Sequence, residues 1–445
     1  MKKQLLASAS LSVAAALLLG ASPALAAKSM SSSSGLGSAP YVSGDKDAPV
    51  TNADNITDAI LGSKVFFDAR NRYEYVDQTN LKNEAHADTL RTLAGFQTTP
   101  YKDVAFAFAA ENVMPITPDH RYNDGVNGLS KYPKITDPST TALQLGNAQW
   151  TGLPDTSVTV GRQYLILDNQ RWVGVPDWRQ LRQTFDAVTV KNGSIKDFEF
   201  LYSFVWDVNR TAGTRSSTGM YNTSTNLFHA TYTGVPDLKL SPYVYLMDID
   251  HQPSLSNQTE GLRGEWKHKL DDSLSATAAA EYARQSSYGN AITKYSLNYF
   301  TIEPGFIVGQ DKGLFGSFTG KVGYESMGGN GVSSVQTPEA ANHNQNGFAD
   351  IFSTTPANGL VDEYLDGTIK YQLPWAVLSP TKFETTWHHF SSTHKDIHYG
   401  NELDLELGQT IATHYTVQLN YNVFHQDSNL YPTTHKFMLS AAVSF

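Results

Sequence analysis

The stretch Phe198-Glu199-Phe200-Leu201-Tyr202-Ser203-Phe204-Val205-Trp206-Asp207-Val208 places a large apolar side chain at every even position. Successive side chains of a strand point to opposite sides, so Phe198, Phe200, Tyr202, Phe204, Trp206 and Val208 share one face. The same period of two runs through Phe67 to Val76, where Asp68, Arg70, Arg72 and Glu74 alternate with Phe67, Ala69, Asn71, Tyr73 and Tyr75. It recurs in Glu402, Asp404 and Glu406 against Leu403, Leu405 and Leu407, and in the last strand, where Phe437, Leu439, Ala441, Val443 and Phe445 share a face. A charge in hydrocarbon costs several kcal/mol, so a face with three carboxylates must look into water. Its apolar opposite suits lipid, or the core of a soluble sandwich. Strand number and connector length separate the two.

Alternation and turn residues mark eighteen strands, at 64–76, 89–99, 102–112, 141–151, 156–167, 180–191, 196–208, 226–233, 238–250, 257–269, 272–284, 293–308, 314–326, 360–372, 380–391, 399–410, 412–425 and 433–445. Without the two weakest, 141–151 and 226–233, sixteen remain with the same topology. Connectors alternate between short turns such as Asn192-Gly193 and Gly152-Leu153-Pro154-Asp155 and longer loops at 77–88, 113–140, 168–179, 209–225 and 327–359. An even count with short turns on one rim and long loops on the other predicts an all-β transmembrane antiparallel barrel, short turns periplasmic and long loops extracellular. Loops 113–140 and 327–359 are long enough to fold into the lumen.

The N-terminus gives the route to such a membrane. Met1-Lys2-Lys3, an apolar Leu5 to Leu19 and Pro23-Ala24-Leu25-Ala26 read as a signal peptide over residues 1–26, cleaved after Ala26. Residues 27–62, with four serines in a row at Ser31–Ser34, read as a flexible linker, and residues 63–445 as one barrel. The chain of 445 residues has no cysteine, which excludes disulfides and thiolate sites, and its net charge of −10 argues against a nucleic-acid partner. Aromatic residues make up 11%, yet mean hydropathy is only −0.34, a combination that suits an outer-membrane barrel. The terminal Phe445 on an amphipathic strand resembles the signal read by the barrel-assembly machinery.

Several segments resemble the alginate export family of outer-membrane porins. They include Gly161-Arg162-Gln163, Leu167-Asp168-Asn169-Gln170-Arg171-Trp172-Val173-Gly174, Trp178-Arg179-Gln180 and Gln183-Thr184-Phe185-Asp186-Ala187. A second group is Gln336-Thr337-Pro338, Asn346-Gly347-Phe348-Ala349-Asp350 and Thr355-Pro356-Ala357-Asn358-Gly359-Leu360, with Arg72-Tyr73-Glu74-Tyr75 and Tyr399-Gly400-Asn401-Glu402-Leu403-Asp404 towards the ends. Glu339 to Asn344 is more polar than the family pattern. The resemblance implies an 18-stranded barrel whose electropositive lumen passes an anionic uronate polymer without chemistry, hence no catalytic residue and no cofactor.

A polyuronate carries one carboxylate per sugar, so a selective path needs fixed cations. Arginine binds carboxylate with a planar fork and stays charged. Arg162, Arg171, Arg179 and Arg182 lie within the best-matching segment, and Arg70, Arg72, Arg91 and Arg263 on polar faces of strands. These eight are the candidate lumen cations. The alternative is that they pair with wall carboxylates, of which Asp68, Glu74, Asp168, Asp186 and Glu265 are the first candidates and Asp404 and Glu406 further ones. Arg162 shares its parity with Val158 and Val160, so it faces the lumen only if Gly161 makes a bulge.

Strand carboxylates such as Glu199, Glu281, Glu303, Glu325, Asp362, Asp366 and Glu384 keep open a cation-preferring or nonselective pore. His388, His389, His394 and His398 cluster in sequence, but period-two geometry sends the adjacent pair to opposite faces, so no metal site is expected. Tyr73, Tyr75, Trp206, Tyr282, Tyr299, Tyr324, Trp387 and Tyr421 read as lipid-face or girdle aromatics. The expected partners are outer-membrane lipid and a small anionic or saccharide solute, with the barrel a monomer. A barrel hydrolase, a phospholipase or protease, is the competing class. It would assemble its acid, base and nucleophile across strands, and no compact Ser/His/Asp grouping stands out.

Overall fold

A computed structural model describes residues 51–117, 121–309, 315–371, 378, 381–412 and 414–445. The signal peptide and most of the expected linker lie outside these residues. In the described part of that linker, residues 51–62, a short helix replaces coil: α1 (Ile56–Leu61), capped by Asn55, whose side chain accepts from the Asp58 amide at 3.0 Å.

Eighteen strands follow. The first nine are β1 (Lys64–Gln78), β2 (Ala85–Gln97), β3 (Val104–Pro115), β4 (Thr140–Leu153), β5 (Thr156–Gln163), β6 (Thr184–Asn192), β7 (Phe198–Asn209), β8 (Met220–Val235) and β9 (Leu238–Met247). The rest are β10 (Asn257–Lys269), β11 (Leu274–Ser287), β12 (Ser296–Val308), β13 (Phe315–Met327), β14 (Leu360–Tyr371), β15 (Thr381–Ser391), β16 (His398–Ile411), β17 (Tyr415–Gln426) and β18 (Thr434–Ser444). Each pairs antiparallel with its chain neighbours. The sheet closes because β1 pairs with both β2 and β18, Tyr73 lying opposite Asp88 on one side and Leu439 on the other. Closure satisfies every strand edge, which hydrocarbon demands.

All eighteen expected strands are present, including the two weakest. The chief difference in length is β8, expected over 226–233 and found over Met220–Val235; β1 and β2 also run on until only residues 79–84 connect them. The even side of β1 is buried inside the barrel, with Asp68, Arg70, Arg72 and Glu74 at 4% exposure or less. Phe67, Phe106, Phe108, Leu262, Val322, Leu365 and Leu407 are exposed on the outer face, as a lipid belt requires.

Three expectations about facing are corrected. Val208 does not share the outer face with Phe198, Phe200, Tyr202 and Phe204, because a bulge between Val205 and Asp207 shifts the register and turns Val208 into the interior. Tyr299 is no girdle residue: odd positions of β12 face inward, and its phenol donates to Glu325 at 2.6 Å. Arg162 stays on the outer face. Gly161 adopts φ +113°, yet pairing runs without a shift from Val158 through Gln163 against β6, so Arg162 keeps the parity of Val158 and Val160. The adjacent histidines do part, His388 buried inside and His389 on the outer side.

Candidate functional site: two loops folded into the lumen

Loop 164–183, between β5 and β6, carries Leu165, Leu167, Trp172, Val173, Val175 and Leu181, all buried. Such a loop cannot sit in water at the extracellular rim. Most of its apolar residues join a cluster with Phe185, Tyr243, Tyr299 and Phe352 inside the barrel. Loop 328–359, between β13 and β14, enters the same space. Its Phe352 ring packs against Phe390, Tyr399, Phe424 and Tyr431, with centroids 4.6 to 5.9 Å apart.

Backbone bonds join the two loops. The Gly174 amide donates to the Glu339 carbonyl at 3.0 Å, the Ala341 amide to the Gln170 carbonyl at 3.1 Å, and the Gln183 side chain to the carbonyls of Gly174 and Glu339. The Trp178 ring stacks on His343 at 3.6 Å with 11° between the planes, and Phe348 stacks beyond His343 at 4.8 Å. The Arg72 guanidinium lies over Trp178, 5.5 Å from its centroid. This column runs from the wall through both loops. No motif announced it, although Trp178 and Phe348 both lie in family-like segments.

The predicted arginines are largely what hold the loops. Arg70 donates to Gln180 Oε1 at 2.9 Å and to the carbonyls of Asp177 and Arg179 at 2.9 and 2.7 Å. Arg72 binds Asp137, from the loop between β3 and β4, and lies 3.6 Å from Glu74. Arg91 pairs with Asp68 and, at 2.7 Å, with Asp177. Arg182 binds Asp177 at 2.6 Å. Arg171 crosses to Glu325 on β13, and Arg263 joins Glu265 and Glu281 on the wall. Arg179 bridges Glu74 at 3.1 Å and Asp350 at 3.0 Å, linking β1, one loop and the other. Arg162, outside, forms a forked pair with Asp186, both bonds 2.7 Å.

Of the expected carboxylate partners, Asp68, Glu74, Asp186 and Glu265 do pair with predicted arginines. Asp168 instead takes His229 at 2.8 Å and Lys239 at 3.1 Å. Asp404 and Glu402 accept the amides of Phe348 (3.0 Å) and Ala349 (2.6 Å), so two wall carboxylates grip the tip of loop 328–359. Lys436 completes the grip on the Phe348 carbonyl and on Asp350.

Exposure divides these groups. Arg72, Arg91, Arg171 and Arg182 are at most 2% exposed, whereas the side chains of Arg179 (13%), Asp350 (19%) and Asp177 (23%) reach water at the loop tips. Burial alone would raise the Asp177 carboxyl, but Arg182, Arg91 and Arg70 together hold it below the usual carboxylate range. Asp350 is held lower still, with burial outweighed by His343, Lys436 and Arg179. Burial pushes His343 down to about 4, so its ring is neutral at pH 7. Glu339 is fully buried; desolvation lifts it to about 7 against the bond it accepts from Thr225 at 3.0 Å.

Another stretch of the wall is acidic. Glu303, Asp366, Glu384 and Glu406 face inward on the lower halves of β12, β14, β15 and β16, near Lys321 and Lys382. Lys382 pairs with Glu384 and, at 3.1 Å, with Glu406. The interior therefore has arginines concentrated at β1 and β2, with Arg182 of the loop beside them, and a carboxylate-rich stretch at β12–β16.

Comparison with known proteins bears on the whole barrel. Residues 63–270 match the family model described as alginate export. No curated protein matches the chain. Among solved structures, Acinetobacter baumannii OccAB2 is similar at TM-score 0.66 and 16% identity, covering 87% of this chain and 99% of its own. Pseudomonas aeruginosa OpdL is similar at TM-score 0.64 and 16% identity, covering 86% and 99%. P. aeruginosa OpdK, crystallised with vanillate, gives 0.64 and 15% over 86% and 99%. At these identities the likeness is one of fold. The chain is a closed 18-stranded β-barrel with the fold of these outer-membrane proteins, and its residues 63–270 carry the sequence pattern of the alginate export family.

Proposed function

We propose that this barrel is a passive channel for small carboxylated solutes, sugar acids first among them, exported by a cleaved signal peptide and working as a monomer. The observation that carries this reading is the partly exposed Arg179, whose guanidinium holds Asp350 at the water edge of the loop tips. Asp350 has two further partners, Lys436 at 2.5 Å and His343 at 2.6 Å. A solute carboxylate can therefore displace it from Arg179 without leaving it bare, so binding is available but weak enough for release. The alginate export pattern supports the same solute class, and OpdK, alike in fold, was crystallised with a carboxylate. The acidic lower wall favours a second reading, a cation-preferring pore, because a narrow aqueous path is governed by the sign of the charges nearest to it.

Single-channel recording separates the two. Block of the current by oligogalacturonate that weakens several-fold in Arg179→Ala supports the carboxylate channel. Cation-selective current with no block discards that solute class and favours the second reading.

A further inference from the structure

The α1 segment has no part in the lumen, and it is too well held to be a passing tether. The Ala53 amide donates to the Pro100 carbonyl at 2.7 Å, the Thr99 amide to the Ala59 carbonyl at 3.1 Å, and the Thr99 hydroxyl to the Gly62 carbonyl at 2.9 Å. Asn52 bonds both the amide and the carboxylate of Asp103. The helix is thus fixed to the turn between β2 and β3, on the rim of short turns.

Only Ala59 of the helix is buried. Ile56, Ile60 and Leu61 are 60% exposed or more. Ile56 and Ile60 lie one turn apart on one stripe, Leu61 stands about 100° round from Ile60, and Asp58 lies about 60° beyond Leu61, away from the stripe. Three large aliphatic side chains held out by a capped, hydrogen-bonded helix need a cover. The barrel supplies its position. Val65, at 69% exposure, stands four residues after Leu61 and opens the outer face of β1; it lies opposite Phe96, which lies opposite Phe108. This is the lowest apolar row of the lipid belt on the strands that follow the helix and flank the turn that holds it.

We infer that α1 is an interfacial anchor: it lies on the periplasmic leaflet with Ile56, Ile60 and Leu61 among the upper acyl segments, extending the lipid belt beyond the strands. The occupant of this face is phospholipid, and a periplasmic protein partner or a position beneath the lumen mouth are the competing outcomes.

The cysteine-free chain makes the test direct. Single cysteines at positions 54, 56, 58, 60, 61 and, as a lipid-face reference, 106 are spin-labelled in the mature protein reconstituted in phosphatidylethanolamine–phosphatidylglycerol vesicles. Relaxation by oxygen and by a water-soluble nickel chelate is then compared. Labels at 56, 60 and 61 should show an oxygen-to-nickel ratio several-fold above those at 54 and 58 and close to that at 106. Equal nickel accessibility at 54, 56, 58, 60 and 61 overturns the inference, as does immobilisation of 56, 60 and 61 with access to neither reagent. Ile56→Asp/Ile60→Asp should leave the barrel folded, judged by heat-modifiable migration, while the label at 61 moves into water. A label that stays lipid-exposed in that variant refutes anchoring by the aliphatic stripe.

Discussion

Arg171→Met tests whether arginines hold the loops inside the barrel. Arg171 is 2% exposed, and Glu325 on β13 is its carboxylate partner, 154 residues away in sequence. Removing one member of a buried pair leaves the other charge uncompensated, at a cost of about 3–5 kcal/mol. Glu325 would retain two donors, the Tyr299 phenol and the Asn346 amide, each at 2.6 Å. These put the expected loss at the lower end, about 3 kcal/mol, which raises the undocked population of loop 164–183 on the order of a hundredfold. Undocking exposes the amides that join the loops, those of Gly174 and Ala341. Their hydrogen exchange in the reconstituted protein should speed up by that factor, while amides within β1 and β18 stay unchanged.

The double variant Arg171→Met/Glu325→Gln removes both charges and should return the exchange rates to within about tenfold of wild type, since a neutral replacement of a buried pair is often nearly neutral in energy. Unchanged exchange in Arg171→Met refutes the reasoning. So does a double variant as fast as the single one, because the loss then came from packing rather than from the orphaned carboxylate.

Four further outcomes follow from the same geometry. Glu339 is raised to about 7 in the folded protein, so its neutral form favours the docked loops, and that contribution fades as pH rises from about 5 to 8; Glu339→Gln should flatten the pH dependence of loop exchange in this window. His343 is lowered to about 4, the opposite sign: docking is fully supported above about pH 6.5 and weakens as pH falls towards 4, a trend His343→Phe should abolish while preserving the stack on Trp178. Gly359 has φ +76° and a position where an added Cβ would stand 2.6 Å from the Met327 carbonyl, so Gly359→Ala should destabilise the base of loop 328–359 by about 1–3 kcal/mol, read as faster exchange there. Arg162→Ala, on the outer face, should leave ion selectivity in a salt gradient unchanged where Arg179→Ala shifts it towards cations.

The strands were legible because a barrel wall imposes period two on every segment, and Asp68-x-Arg70-x-Arg72-x-Glu74 or Glu402-x-Asp404-x-Glu406 shows it without help. Bulges were not. The extra residue at Val205–Asp207 carries no compositional mark, so parity alone puts Val208 on the wrong face, and Gly161 shows the converse, a glycine with positive φ that shifts nothing. Seven of the eight candidate arginines do lie inside: Arg70, Arg72, Arg91 and Arg263 on the polar faces of strands, where a charge has its tolerable side, and Arg171, Arg179 and Arg182 because their loop folds into the lumen. Their partners were harder to see: Arg179 reaches Asp350 across 171 residues, and the column of Arg72, Trp178, His343 and Phe348 joins three distant segments.

That distance between legible cation and illegible partner changes what the arginines mean. A lumen lined with free guanidinium groups would repel itself and hold any polyanion tightly. Here Arg72, Arg91, Arg171 and Arg182 are neutralised by Asp137, Asp68, Glu325 and Asp177, and their charge goes into fixing two loops across the lumen. In the proposed channel a passing anion exchanges where a shared carboxylate reaches water, as at Arg179 with Asp350, at Arg91 and Arg182 with Asp177, and at Arg263 and Lys239 with Glu265. Selectivity then rests on very few exposed groups set in a rigid frame. A charge change at Arg179, whose partners Glu74 and Asp350 keep Arg72, His343 and Lys436, should move ion preference first, whereas changes at Arg171, Arg72 or Asp177, each of which leaves a buried partner charge, should loosen the frame first and alter selectivity only as a consequence.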